Sequence, residues 1–174
     1  LLMLFTSELI GGPVDPFPGC ASVVALLRPE SRGEVNISSN DPKIHPKIIY
    51  NFLSANKDRE TLILGVRRIR EIMSQNAIAK YIIREFRPGS KRDSDEDILE
   101  FLENSGRTSY HPVGTCRMGP DDEAVVDPRL RVNGVNALRV ADASIMPTLV
   151  SGNTNAPVIM IGEKASDMIL SDVK

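Results

Sequence analysis

Apolar residues recur at every third or fourth position in three stretches of the chain, and this spacing predicts helices with one buried face. The first stripe consists of Leu62, Val66, Ile69 and Met73, and the second, shorter one of Ile78, Ile82 and Phe86. The third stripe consists of Ile98, Phe101 and Leu102. It follows Ser94 and Asp97, whose spacing is typical of a capping box at the start of a helix.

Three short segments before the first helix have the patterns of β-strands. Residues 23–27 are a continuous apolar run, and residues 34–37 alternate between polar and apolar side chains. Residues 31–33 (SRG) suit a hairpin turn between these two segments, and residues 46–50 provide a third strand. We therefore predict an antiparallel sheet in this part of the chain.

The last third of the chain has a different composition, rich in Gly, Pro, Asn, Asp and Val. Residues 138–141 predict one strand that ends near Asp142, and residues 157–170 predict a final helix with Pro157 in its first turn. The predicted fold class is α+β. It has a mainly antiparallel sheet with helices on one side, followed by a strand and a C-terminal helix.

Composition and charge narrow the classes of function. Apolar residues make up 41% and charged residues 25% of the 174 residues, which is ordinary for a globular domain. The net charge of −2 and the scattered Lys and Arg argue against nucleic-acid binding. No run reaches the roughly 18–20 apolar residues that a membrane span requires. Cys20 and Cys116 fit no metal-ligand spacing, so no metal site is predicted, and a disulfide between them stays open.

Two segments carry the residue types of a reactive site. In residues 109–119 (SYHPVGTCRMG), Pro112 restricts the backbone of His111, whose imidazole is suited to accept a proton near neutral pH. In residues 151–157 (SGNTNAP), the start of the final helix offers unpaired N–H groups and a partial positive charge that suit an anion. Each segment has a structural alternative: a histidine hydrogen-bonded in a turn, and an ordinary helix N-cap.

Four sequence blocks that follow one another in order indicate a protein family more specifically than either segment alone. The blocks are residues 110–119 (YHPVGTCRMG), 126–132 (VDPRLRV), 138–147 (LRVADASIMP), and 152–157 (GNTNAP) with 161–164 (IGEK). Together they closely resemble the C-terminal region of the glucose–methanol–choline (GMC) flavoprotein oxidoreductases. More weakly, the segment from about residue 22 resembles the substrate-binding domain of that family.

The resemblance implies an FAD-dependent oxidation of a small alcohol, in which a hydroxyl proton is removed and a hydride passes to the flavin N5 atom. His111 matches the active-site histidine and would be the catalytic base. Asn153 matches a position that holds the substrate oxygen, with Asn155 as the alternative. The residues expected to contact FAD are Tyr110, His111, Asp142, Ala143, Asn153, Thr154 and Asn155. Oxygen or a quinone-like acceptor would reoxidise the flavin, and the identity of the alcohol stays open.

The same resemblance divides the chain into three parts. Residues 1–19 would be a linker or partial N-terminal segment, residues 20–108 a substrate-binding region, and residues 109–174 the histidine segment with the C-terminal part of the FAD site. The sequence has no Gly-x-Gly-x-x-Gly turn for the FAD pyrophosphate, and it begins without Met. We therefore expect a partial sequence, inactive alone, whose N-terminal FAD domain lies outside it.

Two other hypotheses are compatible with the sequence. A non-catalytic member of the family would act as a binding or structural protein. An unrelated small α+β module would match the motifs by coincidence. The cellular location, including secretion, and the oligomeric state stay open.

Overall fold

A computed structural model describes residues 16–172 and the backbone of residues 2–6. The chain divides into two compact units. The first consists of Leu1–Arg32 and Asn51–Thr108, and the second of Gly33–Tyr50 and Ser109–Lys174. Within the linker predicted at residues 1–19, residues 2–6 form a strand, while residues 1 and 7–15 lie outside the described residues. The roles assigned to the three parts of the chain stay predictions.

The first unit combines a two-stranded antiparallel sheet with three helices. Strand β1 (Leu2–Thr6) pairs with strand β2 (Ala21–Ala25). The helices are α1 (Asn56–Met73), α2 (Asn76–Ala79) and α3 (Asp95–Ser105). The apolar run around Val23 is therefore a strand, and the first and third stripes lie on helices as predicted.

Helix α2 is shorter than its apolar stripe predicts. The stripe continues to Phe86, but the helix ends at Ala79. The β-branched pair Ile82 and Ile83 and the nearby Pro88 disfavour a longer helix, because branched side chains lose rotamer freedom there and proline has no N–H to donate.

Helices α1 and α3 pack through a small apolar core. Ile98 of α3 is fully buried and contacts the cluster that Ile63 and Val66 of α1 form. The predicted capping box starts α3: the Ser94 hydroxyl accepts from the Asp97 N–H at 3.1 Å, and the Asp97 carboxylate accepts from the Ser94 N–H at 3.3 Å. The cap determines where the helix begins, and the stripe determines which face is buried.

The hairpin predicted at residues 31–33 is wrong. Strand β3 (Glu34–Asn36) belongs to the second unit and pairs with strand β4 (Lys47–Ile49), with Val35 opposite Ile48. The predicted single sheet is therefore two separate two-stranded antiparallel sheets.

The reason for this correction lies at the start of α1. The backbone N–H groups of Glu30 and Ser31 donate to the carboxylate of Asp58 at 2.9 Å and 2.8 Å. The hydroxyl of Ser31 also accepts from the Ala55 N–H at 3.1 Å. These bonds direct the chain after β2 to the first turn of α1, so that it does not fold back along β2.

The second unit has little regular structure before its last helix. A 3₁₀ turn (Ala143–Ile145) precedes helix α4 (Asn155–Asp172), which begins two residues earlier than predicted. The core of the unit is apolar and consists of the buried residues Val126, Leu130, Ile145, Met146, Ile161 and Ala165. Among the described residues, no helix is long and apolar enough to cross a lipid bilayer.

The strand predicted at residues 138–141 is also wrong. Arg139 forms one isolated bridge with Arg131, and the pairing does not extend into a ladder. Gly134 and Ala137, with positive φ angles of 79° and 58°, lie in the turn that joins the two bridged segments. Hydrogen bonds flank the bridge only between residues 130–132 and 138–140, so the pairing is too short for a regular strand. The α+β class holds, while the role of this lobe in FAD binding stays a prediction.

Candidate active site

His111 lies between two sharp bends of the backbone. Tyr110 has a φ angle of 60°, in the left-handed region that is uncommon for a residue other than glycine. Gly114 has a φ angle of 91°, and a Cβ atom on it would lie 3.4 Å from the carbonyl oxygen of Met146. Glycine is therefore favoured at this position by its dihedral angle, while a Cβ atom would make only an ordinary contact with Met146.

The segment after His111 is hydrogen-bonded to the 3₁₀ turn. The Cys116 N–H donates to the carbonyl of Ser144 at 3.0 Å, and the Met118 N–H donates to the carbonyl of Ile145 at 2.8 Å. Two sequence blocks that are separated by about 20 residues are thus direct neighbours in the fold.

The imidazole of His111 is half-buried. Among the described residues, it has no hydrogen-bond partner and no ion pair. This differs from the structural alternative raised by the sequence, in which a hydrogen bond in a turn would occupy the ring. Within the described part of the chain, neither ring nitrogen is engaged.

Asp142 caps the 3₁₀ turn. One oxygen of its carboxylate accepts from both the N–H and the hydroxyl of Ser144, at 2.7 Å and 2.5 Å. The other oxygen accepts no hydrogen bond from the described residues, and the side chain is exposed. Ala143 packs against the core of the unit. The carboxylate is consequently held in one orientation with a free acceptor.

The first turn of α4 presents hydrogen-bond donors. The carbonyl of Thr154 accepts from the Val158 N–H at 2.9 Å, which makes Thr154 the N-cap residue. The N–H groups of Asn155 and Ala156 have no acceptor within the helix, and Pro157 has no N–H. The positive end of the helix dipole therefore coincides with two backbone donors.

Polar side chains surround these donors. Asn153 and Asn155 are both exposed, and their amides can donate and accept. Gly152 has a φ angle of 155°, and a Cβ atom on it would meet nothing within 4 Å. The approach to this helix start is open within the described part of the chain.

One core supports all three segments. Val113 after the histidine, Ala143 in the 3₁₀ turn and Val158 in α4 pack against the same buried cluster. The structure thus brings the predicted site segments into one unit. The convergence of the His111 and Asn153 side chains on one ligand stays a prediction.

The described residues contain no cluster of His, Cys, Asp and Glu that could hold a metal ion. The thiols of Cys20 and Cys116, for which the sequence left a disulfide open, are both free.

The sequence patterns did not single out a charged network at the far end of α4. Arg129 donates to the Met168 carbonyl at 3.3 Å, to the Ser171 hydroxyl at 3.0 Å and to the Asp172 carboxylate at 2.6 Å. Arg139 donates to the same carboxylate. One signal could have indicated it: Asp172 places a negative charge at the negative end of a helix, which favours a cation from another segment.

A model of the GMC oxidoreductase family matches residues 29–162. The chain belongs to the GMC oxidoreductase family. It corresponds to the C-terminal region of that family, so the resemblance found in the four sequence blocks is confirmed.

Among curated proteins, this GMC chain is 49% identical over 146 residues to an oxygen-dependent choline dehydrogenase of Escherichia coli O127:H6 (strain E2348/69 / EPEC). The match covers 84% of the chain and 26% of that relative. The chain thus spans about a quarter of the length of the curated relatives that it matches.

Solved structures of two other oxidases are similar to this GMC chain. Pyridoxine 4-oxidase from Mesorbium loti matches with a TM-score of 0.83 and 34% identity, over 90% of this chain and 31% of its own. Formate oxidase from Aspergillus oryzae RIB40 matches with a TM-score of 0.86 and 32% identity, over 94% of this chain and 29% of its own.

Proposed function

We propose that this chain supplies the catalytic base and the flavin-ring end of the cofactor site in an FAD-dependent oxidation of a small alcohol. The observation that supports this most directly is the bonding of the His111 segment to the 3₁₀ turn, which shares one core with the start of α4. The matched relatives include a choline dehydrogenase, and a formate oxidase whose structure concerns FAD modification.

The donor set at the start of α4 suits the pyrimidine edge of a flavin. That edge carries carbonyl oxygens that accept hydrogen bonds, and the N–H groups of Asn155 and Ala156 would meet them. When bound, FAD would accept a hydride from the substrate carbon at its N5 atom and gain negative charge near N1. Fixed donors and the positive helix end stabilise such charge without reorganising.

Asp142 and Ala143 would lie along the ribityl chain and phosphate part of the cofactor. The free carboxylate oxygen of Asp142 suits a hydroxyl group. No Gly-x-Gly-x-x-Gly turn for the pyrophosphate occurs in the sequence. The adenine half of the site would therefore come from another region, which we expect to be an N-terminal FAD domain.

His111 would accept the hydroxyl proton of the substrate, because its ring is accessible and has no competing partner among the described residues. Asn153 would donate an amide hydrogen bond to the substrate oxygen and hold it beside the imidazole. Loss of the proton makes the carbon a better hydride donor, and this is the contribution of the base.

Choline is the first alcohol to test, since the chain is 49% identical to a choline dehydrogenase and 32–34% identical to the oxidases of pyridoxine and formate. Oxygen and a quinone-like compound are the two classes of electron acceptor to compare. A catalytically active parent protein would exclude the alternative of a purely structural family member.

The decisive experiment replaces each histidine of the chain in the complete protein. His111→Ala should slow the reduction of the flavin by the alcohol at least ~100-fold. Rapid mixing measures this rate as the loss of flavin absorbance. His45→Ala is the matched control, because His45 is exposed in the segment between β3 and β4. An unchanged rate in His111→Ala would refute the role of this residue as the base.

A further inference from the structure

Helix α4 ends where two guanidinium groups from another segment meet its last turn. Arg129 bonds to the Met168 carbonyl, the Ser171 hydroxyl and the Asp172 carboxylate. Arg139 bonds to the same carboxylate, and its Nε donates to the Arg129 carbonyl at 3.3 Å. We refer to Arg129, Arg139 and Asp172 as the clamp.

The clamp supplies positive charge that the last turn of α4 lacks. The last turn of α4 contains no Lys or Arg. Burial of Asp172 opposes its ionisation, but the hydrogen bonds and charges of Arg129 and Arg139 outweigh this and hold its pKa below the usual range. The carboxylate is thus a charged anchor at neutral pH, and the two cations compensate the negative helix end.

Apolar packing holds one face of α4 against the core, through the buried Ile161 and Ala165 and the partly buried Val158 and Met168. Ile161 and Ala165 are its two buried residues among those described, and Ala165 has a small side chain. Contacts between apolar surfaces are non-directional, whereas the hydrogen bonds from the guanidinium groups of Arg129 and Arg139 to the last turn fix both distance and angle.

The segment that carries the clamp is also joined to the histidine motif. Val126 forms a bridge with Met118, and the Val125 N–H donates to the Arg117 carbonyl at 2.9 Å. Leu130, next to Arg129, is buried in the core of the unit. The same segment therefore contacts the segment after His111 on one side and the last turn of α4 on the other.

We propose that the clamp positions helix α4. By fixing the last turn of the helix, it sets where the first turn lies relative to the His111 segment. This inference rests on the proposed function. The helix has 18 residues and is about 27 Å long. The clamp therefore lies well beyond a Debye length of ~8 Å from the first turn, and its direct electrostatic effect there is screened.

The test is the midpoint potential of the flavin in the complete, FAD-loaded protein, measured by redox titration of Arg129→Met and Asp172→Asn. Displaced N–H donors would stabilise the reduced, anionic flavin less, so positioning predicts a shift to more negative potential in both variants. A through-space effect predicts opposite signs, because one variant removes a positive charge and the other a negative one. Shifts of opposite sign, or no shift in either variant, would overturn the proposal.

Arg131→Met is the matched control. Arg131 lies on the same segment and pairs with Asp127 at 2.8 Å, within its own turn. Its loss should leave the potential unchanged, and hydrogen exchange along α4 should accelerate only in the clamp variants. The double variant of Arg129 and Asp172 should shift the potential about as much as either single one, because the two residues act as a unit.

Two further comparisons keep the outcomes distinct. If Arg129→Met does not retain FAD, Arg139→Lys replaces it and should shift the potential in the same direction as Asp172→Asn. If His111→Ala leaves flavin reduction unchanged while the clamp variants shift the potential, the proposed base is wrong and the clamp is supported. If His111→Ala slows flavin reduction while the clamp variants leave the potential unchanged, the clamp proposal is wrong and the proposed base is supported.

Discussion

The carboxylate of Asp58 accepts hydrogen bonds from two consecutive backbone N–H groups, those of Glu30 and Ser31. With 2% exposure, Asp58 is the one buried charged residue among those described. It lies in the first turn of α1, where a negative charge is favourable next to the positive end of the helix dipole. This relationship ties the loop after β2 to the helix and determines the path of the chain.

Asp58→Asn should lower the free energy of unfolding by about 1–3 kcal/mol, because a buried amide cannot accept from both N–H groups with the same charge-assisted strength. Chemical denaturation at neutral pH measures this difference. Glu60→Gln is the control, since Glu60 is an exposed acid of the same helix, and its replacement should change stability by less than about 0.5 kcal/mol.

The contribution of Asp58 should also depend on pH. Burial acts against its ionisation, but the hydrogen bonds from Ser31 and Glu30 together outweigh it and lower its pKa from the ordinary 3.8. A lowered pKa in the folded state gives stability that is present above pH 3.8 and is lost as the pH falls below it. The free energy of unfolding of Asp58→Asn should decline less over this range, and an identical decline in both proteins would contradict the assignment.

Asp121 should titrate far below an ordinary carboxylate. Two hydrogen bonds from Arg117 lower its pKa from 3.8 to about 2. The stabilisation from this pair should therefore be complete above pH 3.8 and decline as the pH falls from 3.8 towards 2. Carbon-detected NMR titration should show the low value in the parent and an ordinary one in Arg117→Met. Asp127, which bonds to Arg131, is an internal reference that should keep its lowered pKa.

Ile98→Ala should destabilise the first unit by about 2–5 kcal/mol, because Ile98 is fully buried and its removal leaves a cavity between α1 and α3. Glu103→Ala changes an exposed residue of the same helix and should cost less than about 0.5 kcal/mol. Thermal or denaturant unfolding compares the two variants, and equal effects would show that the α1–α3 core does not depend on this side chain.

Asn153 and Asn155 can be separated by kinetics. Asn153→Ala should reduce kcat/KM for the alcohol about 10-fold in the complete protein, since one hydrogen bond to the substrate is worth about 1.4 kcal/mol. Asn155→Ala should reduce it much less, because its predicted contact is with the cofactor edge. The opposite order would assign the substrate contact to Asn155.

Local patterns predicted what is locally determined. The apolar stripes on α1, α3 and α4 follow from helical periodicity, and the Ser94–Asp97 box follows from a spacing of three residues. The site segments were found by the order of four blocks and not by periodicity, because His111 and the start of α4 lie in irregular or terminal structure.

Non-local bonds account for the failures. The predicted hairpin at residues 31–33 does not form, because Ser31 hydrogen-bonds instead to Asp58, which lies 27 residues further along the chain. The strand predicted at residues 138–141 is limited to one bridge, with Arg131. The clamp joins residues that are 33 and 43 positions apart. No window of the sequence contains these partners together, so only the fold reveals them.

Pro157 limits the hydrogen bonds that the Thr154 hydroxyl can form at the start of α4. An N-cap hydroxyl ordinarily binds the N–H of the second or third helical residue, and proline at the third position removes one of these two choices. Among the described residues, the Thr154 hydroxyl has no partner. The helix is thus impeded from completing its own cap, and its first turn keeps both a hydroxyl and backbone donors for a molecule from outside.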